Sequence, residues 1–276
     1  MKHFFFASSL VLLILSSCQT PQKDIAKGKV EPIKAQIPIR EHSEQAVLWQ
    51  QMAAEYAALT HQAYNLALMQ LEQEMASEKE RIMPVAIVTD IDETVLDNSP
   101  YNAKMILDDV EYSKETWKEW GLEKSAREVP GAVDFFNKVT EMGIEVYYVS
   151  NRFDHQIDET IENMAALGLP YADEEHVILK TTTSGKQARR DSIHSTHEVL
   201  MFLGDNLSDF TQEFDKQGTQ RRAFLVDSLK QEFGSKFIVF PNPMYGDWET
   251  KGLYEGNYDW NQAQRDSLRS LNLRGY

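Results

Sequence analysis

Two aspartates stand one residue apart at the end of a short apolar run, and no other feature of the sequence is better suited to chemistry. The run of residues 85–89 leads directly into Asp90, Ile91 and Asp92. Residues i and i+2 of an extended chain point to the same side, so both carboxylates can face one pocket. One carboxylate can then attack phosphorus while the other handles protons. The spacing therefore favours phosphoryl transfer.

The overall charge argues against one class of partner and sets a requirement for the site. The chain of 276 residues has a formal net charge of -15, and it contains no long basic stripe. We therefore do not expect a nucleic-acid polymer as a partner. Because the chain repels an anionic substrate at long range, a phosphate site must carry its own local positive charge or metal ion.

The first residues have the pattern of an export signal. Lys2 precedes an apolar stretch that ends at Leu15 and is too short to cross a bilayer as a mature helix. Residues 15–18 resemble the lipobox of bacterial lipoproteins, in which cleavage precedes the cysteine and the cysteine is acylated. Cys18 is the only cysteine, so no internal disulfide can form. An ordinary signal peptide that contains a cysteine is the alternative.

These patterns predict an exported bacterial lipoprotein. Residues 1–17 would be its signal peptide, and palmitate on Cys18 would anchor it to the membrane. Residues 18–43, rich in Lys, Gln, Pro and Glu, would form a flexible tether. Gln19 is not the aspartate that retains many lipoproteins in the inner membrane, which favours the outer membrane. We expect a protein that faces the periplasm or the cell surface.

The rest of the chain alternates between helical and strand-like patterns. Apolar residues recur at three- and four-residue intervals in the segment 44–83, which predicts the helical part of a smaller domain. From 84 to 244 strands alternate with helices, which predicts an α/β core with a parallel sheet and helices on both faces. An aromatic insertion at about 99–128 interrupts this core. The segment 245–276 is expected to pack on the smaller domain.

Polar residues follow three of the predicted strands, at residues 90–92, 150–152 and 204–206. Lys186 stands at the start of a helix that Ser184 is expected to cap. Ligands of parallel sheets bind beyond the carboxyl ends of the strands. We therefore expect these four places to meet at one edge of the sheet.

The order of these residues resembles that of a known superfamily. Residues 90–94, Ser150, Lys186 and residues 204–209 occur in the order and approximate spacing of the four motifs of the haloacid dehalogenase superfamily. The longer strings DIDETVLDNSPY, from Asp90, and FLGDNLSDF resemble its class C acid phosphatases, which are secreted or lipid-anchored bacterial enzymes. The resemblance implies a Rossmann-like parallel sheet with a smaller helical cap.

The resemblance also implies roles for the acidic residues. Asp90 would attack phosphorus and form an aspartyl-phosphate, while Asp92 would protonate the leaving group and then activate water. One magnesium ion per site would be bound by Asp90, the backbone carbonyl of Asp92, and Asp205. Asp209 would orient a water on that ion rather than touch it.

Cationic, polar and aromatic residues would hold the substrate. We expect Ser150, Asn151 and Arg152 to bind phosphate oxygens. Lys186 would neutralise the transferring phosphoryl group, and Lys180 competes with it for that role. Two further residues, Trp117 and Tyr245, resemble the aromatic pair that holds the leaving group in class C enzymes, where stacking would favour a nucleobase or nicotinamide.

The resemblance therefore predicts a metal-dependent acid phosphatase that acts on small phosphate monoesters, including nucleoside 5′-monophosphates. It also implies a homodimer. A phosphotransferase of the same fold and a non-catalytic ligand-binding surface lipoprotein are the alternatives.

Overall fold

A five-stranded parallel sheet forms the centre of the protein, and the computed structural model describes residues 38–276 of the chain. The strand order is β5-β4-β1-β6-β7. The strands are β1 (Val85–Thr89), β4 (Glu145–Phe153), β5 (Val177–Lys180), β6 (Glu198–Gly204) and β7 (Phe237–Val239), and a separate antiparallel pair is formed by β2 (Leu96–Asp97) and β3 (Arg127–Glu128). The predicted α/β class is thus confirmed.

The helices lie between the strands and at both ends of the described segment. They are α1 (Glu44–Met52), α2 (Ala54–Met75), α3 (Ser99–Leu107), α4 (Lys114–Glu123), α5 (Ala132–Glu141), α6 (Ile157–Ala166), α7 (Gln187–His194), α8 (Thr219–Ser228) and α9 (Gln262–Asn272). No helix between residues 38 and 276 is both long and apolar enough to cross a membrane.

Strand β1 is the middle of the sheet because it is apolar on both faces. All five of its residues are buried, and it pairs in parallel with β4 and β6. Val85 and Ile87 pack into one hydrophobic cluster together with residues of α2 and α5, whereas Ala86 and Val88 pack into a second cluster with Ile193 of α7. This alternation is what a strand covered on both faces requires.

Three local predictions differ from the structure. The strand predicted to end before Ser150 continues as β4 to Phe153, so residues 150–152 lie within the strand. Helix α7 begins at Gln187 with Lys186 as its N-cap residue, so the predicted cap at Ser184 is wrong. The long helical segment is broken at Ala53, whose backbone is extended (φ -78°, ψ 123°). The chain turns there, and Met52, one of the apolar residues of the segment 44–83, is 78% exposed.

Several boundaries proposed for the chain stay predictions. The signal peptide, Cys18 and most of the tether lie outside the described residues. The described residues, 38–276, belong to one compact unit. The insertion predicted at about 99–128 contains α3, α4 and β3.

Candidate active site

The predicted catalytic residues meet at the edge of the sheet where β1, β4 and β6 have their carboxyl ends, and Ser150 lies within the last residues of β4. Asp90 and Asp92 follow β1 directly, and Asp205 follows the last residue of β6. These carboxylates, together with Lys186 and Asp209, line one cleft of about 630 Å³. The four stretches of chain that sequence analysis placed at one sheet edge are thus neighbours in space.

Lys186 provides the local positive charge at the centre of the site. Its Nζ donates to Asp90 Oδ1 at 2.5 Å and lies 2.7 Å from Asp209 Oδ1. Burial disfavours the charged ammonium, but the Asp209 and Asp90 carboxylates outweigh that penalty and raise the pKa of Lys186. Lys180 also lines the cleft, but its Nζ lies 3.9 Å from the centre of the Phe153 ring. Of these two lysines, Lys186 is the one that contacts Asp90, the predicted nucleophile.

The acidic residues of the site carry more negative charge than Lys186 can balance. Desolvation raises the pKa of Asp90, Lys186 opposes this effect, and the neighbouring Asp209 and Asp92 reinforce it. Burial, followed by repulsion from Asp209 and Asp90, raises the pKa of Asp205 well above its ordinary value. Protonation relieves this repulsion, and a bound cation would relieve it in the same way.

Three carboxylates are close enough together to hold a metal ion. Oxygen atoms of Asp90, Asp205 and Asp209 lie within 4.8 Å of one another. This donor set consists only of hard oxygen atoms, which fits a divalent cation such as magnesium or calcium. Both oxygens of Asp209 already have partners, since Oδ1 contacts Lys186 and Oδ2 accepts the Asn206 N–H at 3.0 Å. The predicted role of Asp209, to orient a water on the ion, stays a prediction.

The Asp92 side chain contacts two residues of β4 and Asn98. Its Oδ1 accepts hydrogen bonds from Arg152 Nε at 2.9 Å and from Asn98 Nδ2 at 2.9 Å. The Ser150 hydroxyl donates to Oδ2 at 3.2 Å. The Asp92 side chain is not among the three carboxylates that lie close enough together to hold a metal ion, and the predicted contact of its backbone carbonyl with the metal stays a prediction.

The residues predicted to bind phosphate are engaged to different degrees. Ser150 is fully buried, and Arg152 is 3% exposed with its guanidinium on Asp92, Asn98 and Thr160. Asn151 is exposed and lines the cleft. Its phosphate contact stays a prediction, as do those of Ser150 and Arg152.

Sequence analysis missed Asn98 and Arg189. Asn98 contacts Asp92, while Arg189 donates to the Ser150 carbonyl at 2.6 Å and to Asn151 Oδ1 at 2.8 Å. Asn98 lay within the quoted motif string, and Arg189 belongs to an arginine pair. Neither the motif string nor the arginine pair predicts which distant residues Asn98 and Arg189 contact.

The two predicted aromatic residues both line the cleft. Trp117 packs edge-on against Tyr101, with ring centres 5.0 Å apart, and its ring lies 5.6 Å from the Arg152 guanidinium. Tyr245 lies on the segment that follows β7, and its backbone N–H donates to Asn242 at 3.4 Å. Helix α9 also reaches the cleft through Arg265 and Arg269, which sequence analysis did not predict.

Comparison with known proteins identifies the family. The family model of the HAD superfamily, subfamily IIIB (acid phosphatase), matches residues 8–248. The chain is 40% identical to the class C acid phosphatase from Bacillus anthracis, with a TM-score of 0.83 over 87% of this chain and 100% of that one. The same protein solved with tungstate bound matches equally well.

Plant proteins match more distantly. The chain is 26% identical to the stem 31 kDa glycoprotein of Glycine max over 62% of this chain and 63% of that protein. It is also 26% identical to acid phosphatase 1 of Solanum lycopersicum over 57% of each chain. The match thus spans less than two-thirds of the length of these plant relatives. As the motifs predicted, the chain belongs to the HAD superfamily, in its acid phosphatase subfamily IIIB.

Proposed function

We propose that this protein is a metal-dependent acid phosphatase that hydrolyses small phosphate monoesters, including nucleoside 5′-monophosphates, through an aspartyl-phosphate. The observation that carries the proposal is the contact of buried Lys186 with both Asp90 and Asp209 beside Asp205. A cation of this kind is what a nucleophilic carboxylate needs before it can approach an anionic phosphate. The tungstate complex of the Bacillus anthracis enzyme supports the proposal, because tungstate is a tetrahedral oxyanion like phosphate.

The side chains divide the reaction into two displacements. Asp90 attacks phosphorus as the ester P–O bond breaks, and Asp92 gives its proton to the departing oxygen. Asp92 then takes a proton from water as the water oxygen binds phosphorus and Asp90 is released. Lys186 stabilises the negative charge on the transferring group throughout.

A divalent cation held by Asp90, the Asp92 carbonyl and Asp205 would neutralise charge on the phosphate oxygens. Magnesium suits this oxygen-rich donor set. The raised pKa of Asp205 supports the proposal, since it reflects burial and then repulsion from Asp209 and Asp90, and a bound cation would offset both effects.

Release of inorganic phosphate from p-nitrophenyl phosphate and from adenosine 5′-monophosphate tests this function. We expect release with magnesium, loss of release with excess EDTA, and recovery when magnesium is restored. Release that EDTA leaves unchanged would contradict the metal requirement. Transfer to added glycerol in place of phosphate release would identify a phosphotransferase, and turnover of neither ester would favour a non-catalytic binding protein.

We also propose that the protein is exported, anchored to the outer membrane through palmitate on Cys18, and assembled as a homodimer. The lipobox-like residues and the family resemblance support this placement. Labelled palmitate should enter the wild-type protein and not a Cys18→Ser variant. Light scattering of the protein without its first 37 residues should give twice the mass of one shortened chain.

A further inference from the structure

The two carboxylate oxygens of Asp92 have unequal surroundings. Oδ1 accepts from Arg152 Nε at 2.9 Å and Asn98 Nδ2 at 2.9 Å, and it lies 2.8 Å from Arg152 Nη2. Among residues 38–276, Oδ2 has a single hydrogen-bond partner, the Ser150 hydroxyl at 3.2 Å. A carboxylate oxygen offers about two lone-pair directions, so three donors leave Oδ1 no capacity for a proton. Oδ2 therefore keeps a lone pair that can accept a proton.

The groups that hold Oδ1 are themselves fixed. Asn98 is fully buried, and its Oδ1 accepts from Trp120 Nε1 at 2.8 Å and Arg152 Nη2 at 3.3 Å. Arg152 is 3% exposed, and its Nη1 donates to Thr160 at 3.3 Å. Buried side chains in such a network cannot turn without losing several partners. The network therefore gives Asp92 one orientation.

The contacts of Arg152 with Asp92 were not predicted from the sequence. Its Nε and Nη2 both contact Asp92, so the fork that would bind a phosphate in bidentate fashion is already used. The Asp92 side chain remains 16% exposed and lines the cleft. The fork of Arg152 is thus directed at the acid–base group instead of the substrate.

We propose that Arg152 and Asn98 are positioning residues that hold Asp92 by Oδ1 and reserve Oδ2 for proton exchange. In the first displacement the proton on Oδ2 moves to the ester oxygen as its bond to phosphorus breaks and the Asp90–phosphorus bond forms. In the second, Oδ2 receives a proton from water as the water oxygen bonds to phosphorus and the Asp90–phosphorus bond breaks. Arg152 and Asn98 keep their own protons in both steps. This inference rests on the proposed phosphatase function.

The dependence of rate on the leaving group separates this role from phosphate binding. p-Nitrophenolate departs readily without a proton, whereas the alkoxide of glycerol 2-phosphate needs one. We expect Arg152→Gln to lower kcat/KM for glycerol 2-phosphate about 10- to 100-fold more than kcat/KM for p-nitrophenyl phosphate, as partial loss of general acid catalysis. The comparison uses kcat/KM because this constant covers departure of the leaving group but not hydrolysis of the intermediate that both esters share. The KM values should stay within about threefold of wild type, since ground-state phosphate binding is unchanged. Arg221→Gln, at an exposed arginine of α8, is the matched control. It should change neither the rate ratio between the two esters nor the KM values.

A second variant and a double mutant complete the test. Asn98→Ala removes one donor and should shift the same ratio in the same direction, by a smaller factor. In an Asp92→Asn background, Arg152→Gln should cause no further change in the ratio, because its effect passes through Asp92. Thermal melting would confirm that each variant is folded.

Three results would overturn the inference. They are an equal loss of kcat/KM on both esters, a rise in KM alone, or an undiminished effect of Arg152→Gln in the Asp92→Asn background. If the wild-type protein hydrolysed neither ester, the proposed function would fail as well. Active wild-type protein with an unchanged ratio in the variants would remove the positioning role alone.

Discussion

Replacement of Lys186 by methionine should strongly destabilise the metal-free protein. Lys186 lies 2.5 Å from Asp90 and 2.7 Å from Asp209, and its side chain is 5% exposed. At an effective dielectric constant of about 20, two unit charges about 2.6 Å apart attract by roughly 6 kcal/mol. Desolvation of the three charged groups offsets most of this attraction. Removal of one partner from a buried ion pair typically costs about 3–5 kcal/mol, and we expect a loss of that size.

Urea unfolding at pH 7.5 in EDTA measures this loss. Lys180→Met is the matched control, because Lys180 contacts the Phe153 ring and not the acidic cluster. Loss of that contact should cost about 0.5–1 kcal/mol. In phosphatase assays Lys186→Met should lower kcat by about 100- to 1000-fold, as expected for loss of a group that stabilises transition-state charge. A loss of stability below about 1 kcal/mol for Lys186→Met, or equal losses for both lysines, would refute this reasoning.

Three further predictions concern the acidic cluster and the cleft. The pKa values of Asp90 and Asp205 are raised in the folded protein, so above about pH 4 it binds more protons than the unfolded chain. The stability of the metal-free protein should therefore fall as pH rises toward about 7. Asp205→Asn should make this pH dependence of stability less steep in urea unfolding, and an unchanged dependence would contradict the assigned cause. Gly204→Ala should cost about 1–3 kcal/mol of stability and weaken magnesium binding in calorimetry, because a Cβ there would lie 2.5 Å from the Asp209 side chain. Unaltered stability and magnesium affinity would show that Asp209 can move away from the added Cβ without loss. Trp117→Ala should raise KM for adenosine 5′-monophosphate about 5- to 100-fold by loss of stacking, with little change for glycerol 2-phosphate; equal changes for both substrates would argue against stacking.

The sequence predicted those parts of the site that depend on local pattern. The apolar run of β1 fixed where Asp90 and Asp92 emerge, because a strand buried on both faces must be apolar throughout. Alternation of strands and helices then predicted the edge at which Lys186 and Asp205 join them. These predictions required no knowledge of side-chain contacts.

The side-chain network around Asp92 could not be predicted in this way. Asn98 and Arg152 are 54 residues apart and meet only because β4 is hydrogen-bonded to β1. An arginine beside a predicted phosphate site favours phosphate binding when sequence alone is considered. Its burial against Asp92 became visible only in the folded structure. The arginines of α9 were missed for a similar reason, since the polar sequence of that helix gives no sign of the cleft it faces.

The covalent intermediate on Asp90 is the central claim, and acid-quenched turnover followed by peptide mass spectrometry tests it most directly. The Asp92→Asn variant should slow hydrolysis of the intermediate, and p-nitrophenyl phosphate needs little help to react in the first step. We predict a phosphoryl group on the peptide that contains Asp90 in this variant, and none when Asp90 is also changed to Asn. A phosphoryl group on any other residue, or turnover that persists in Asp90→Asn, would contradict the account.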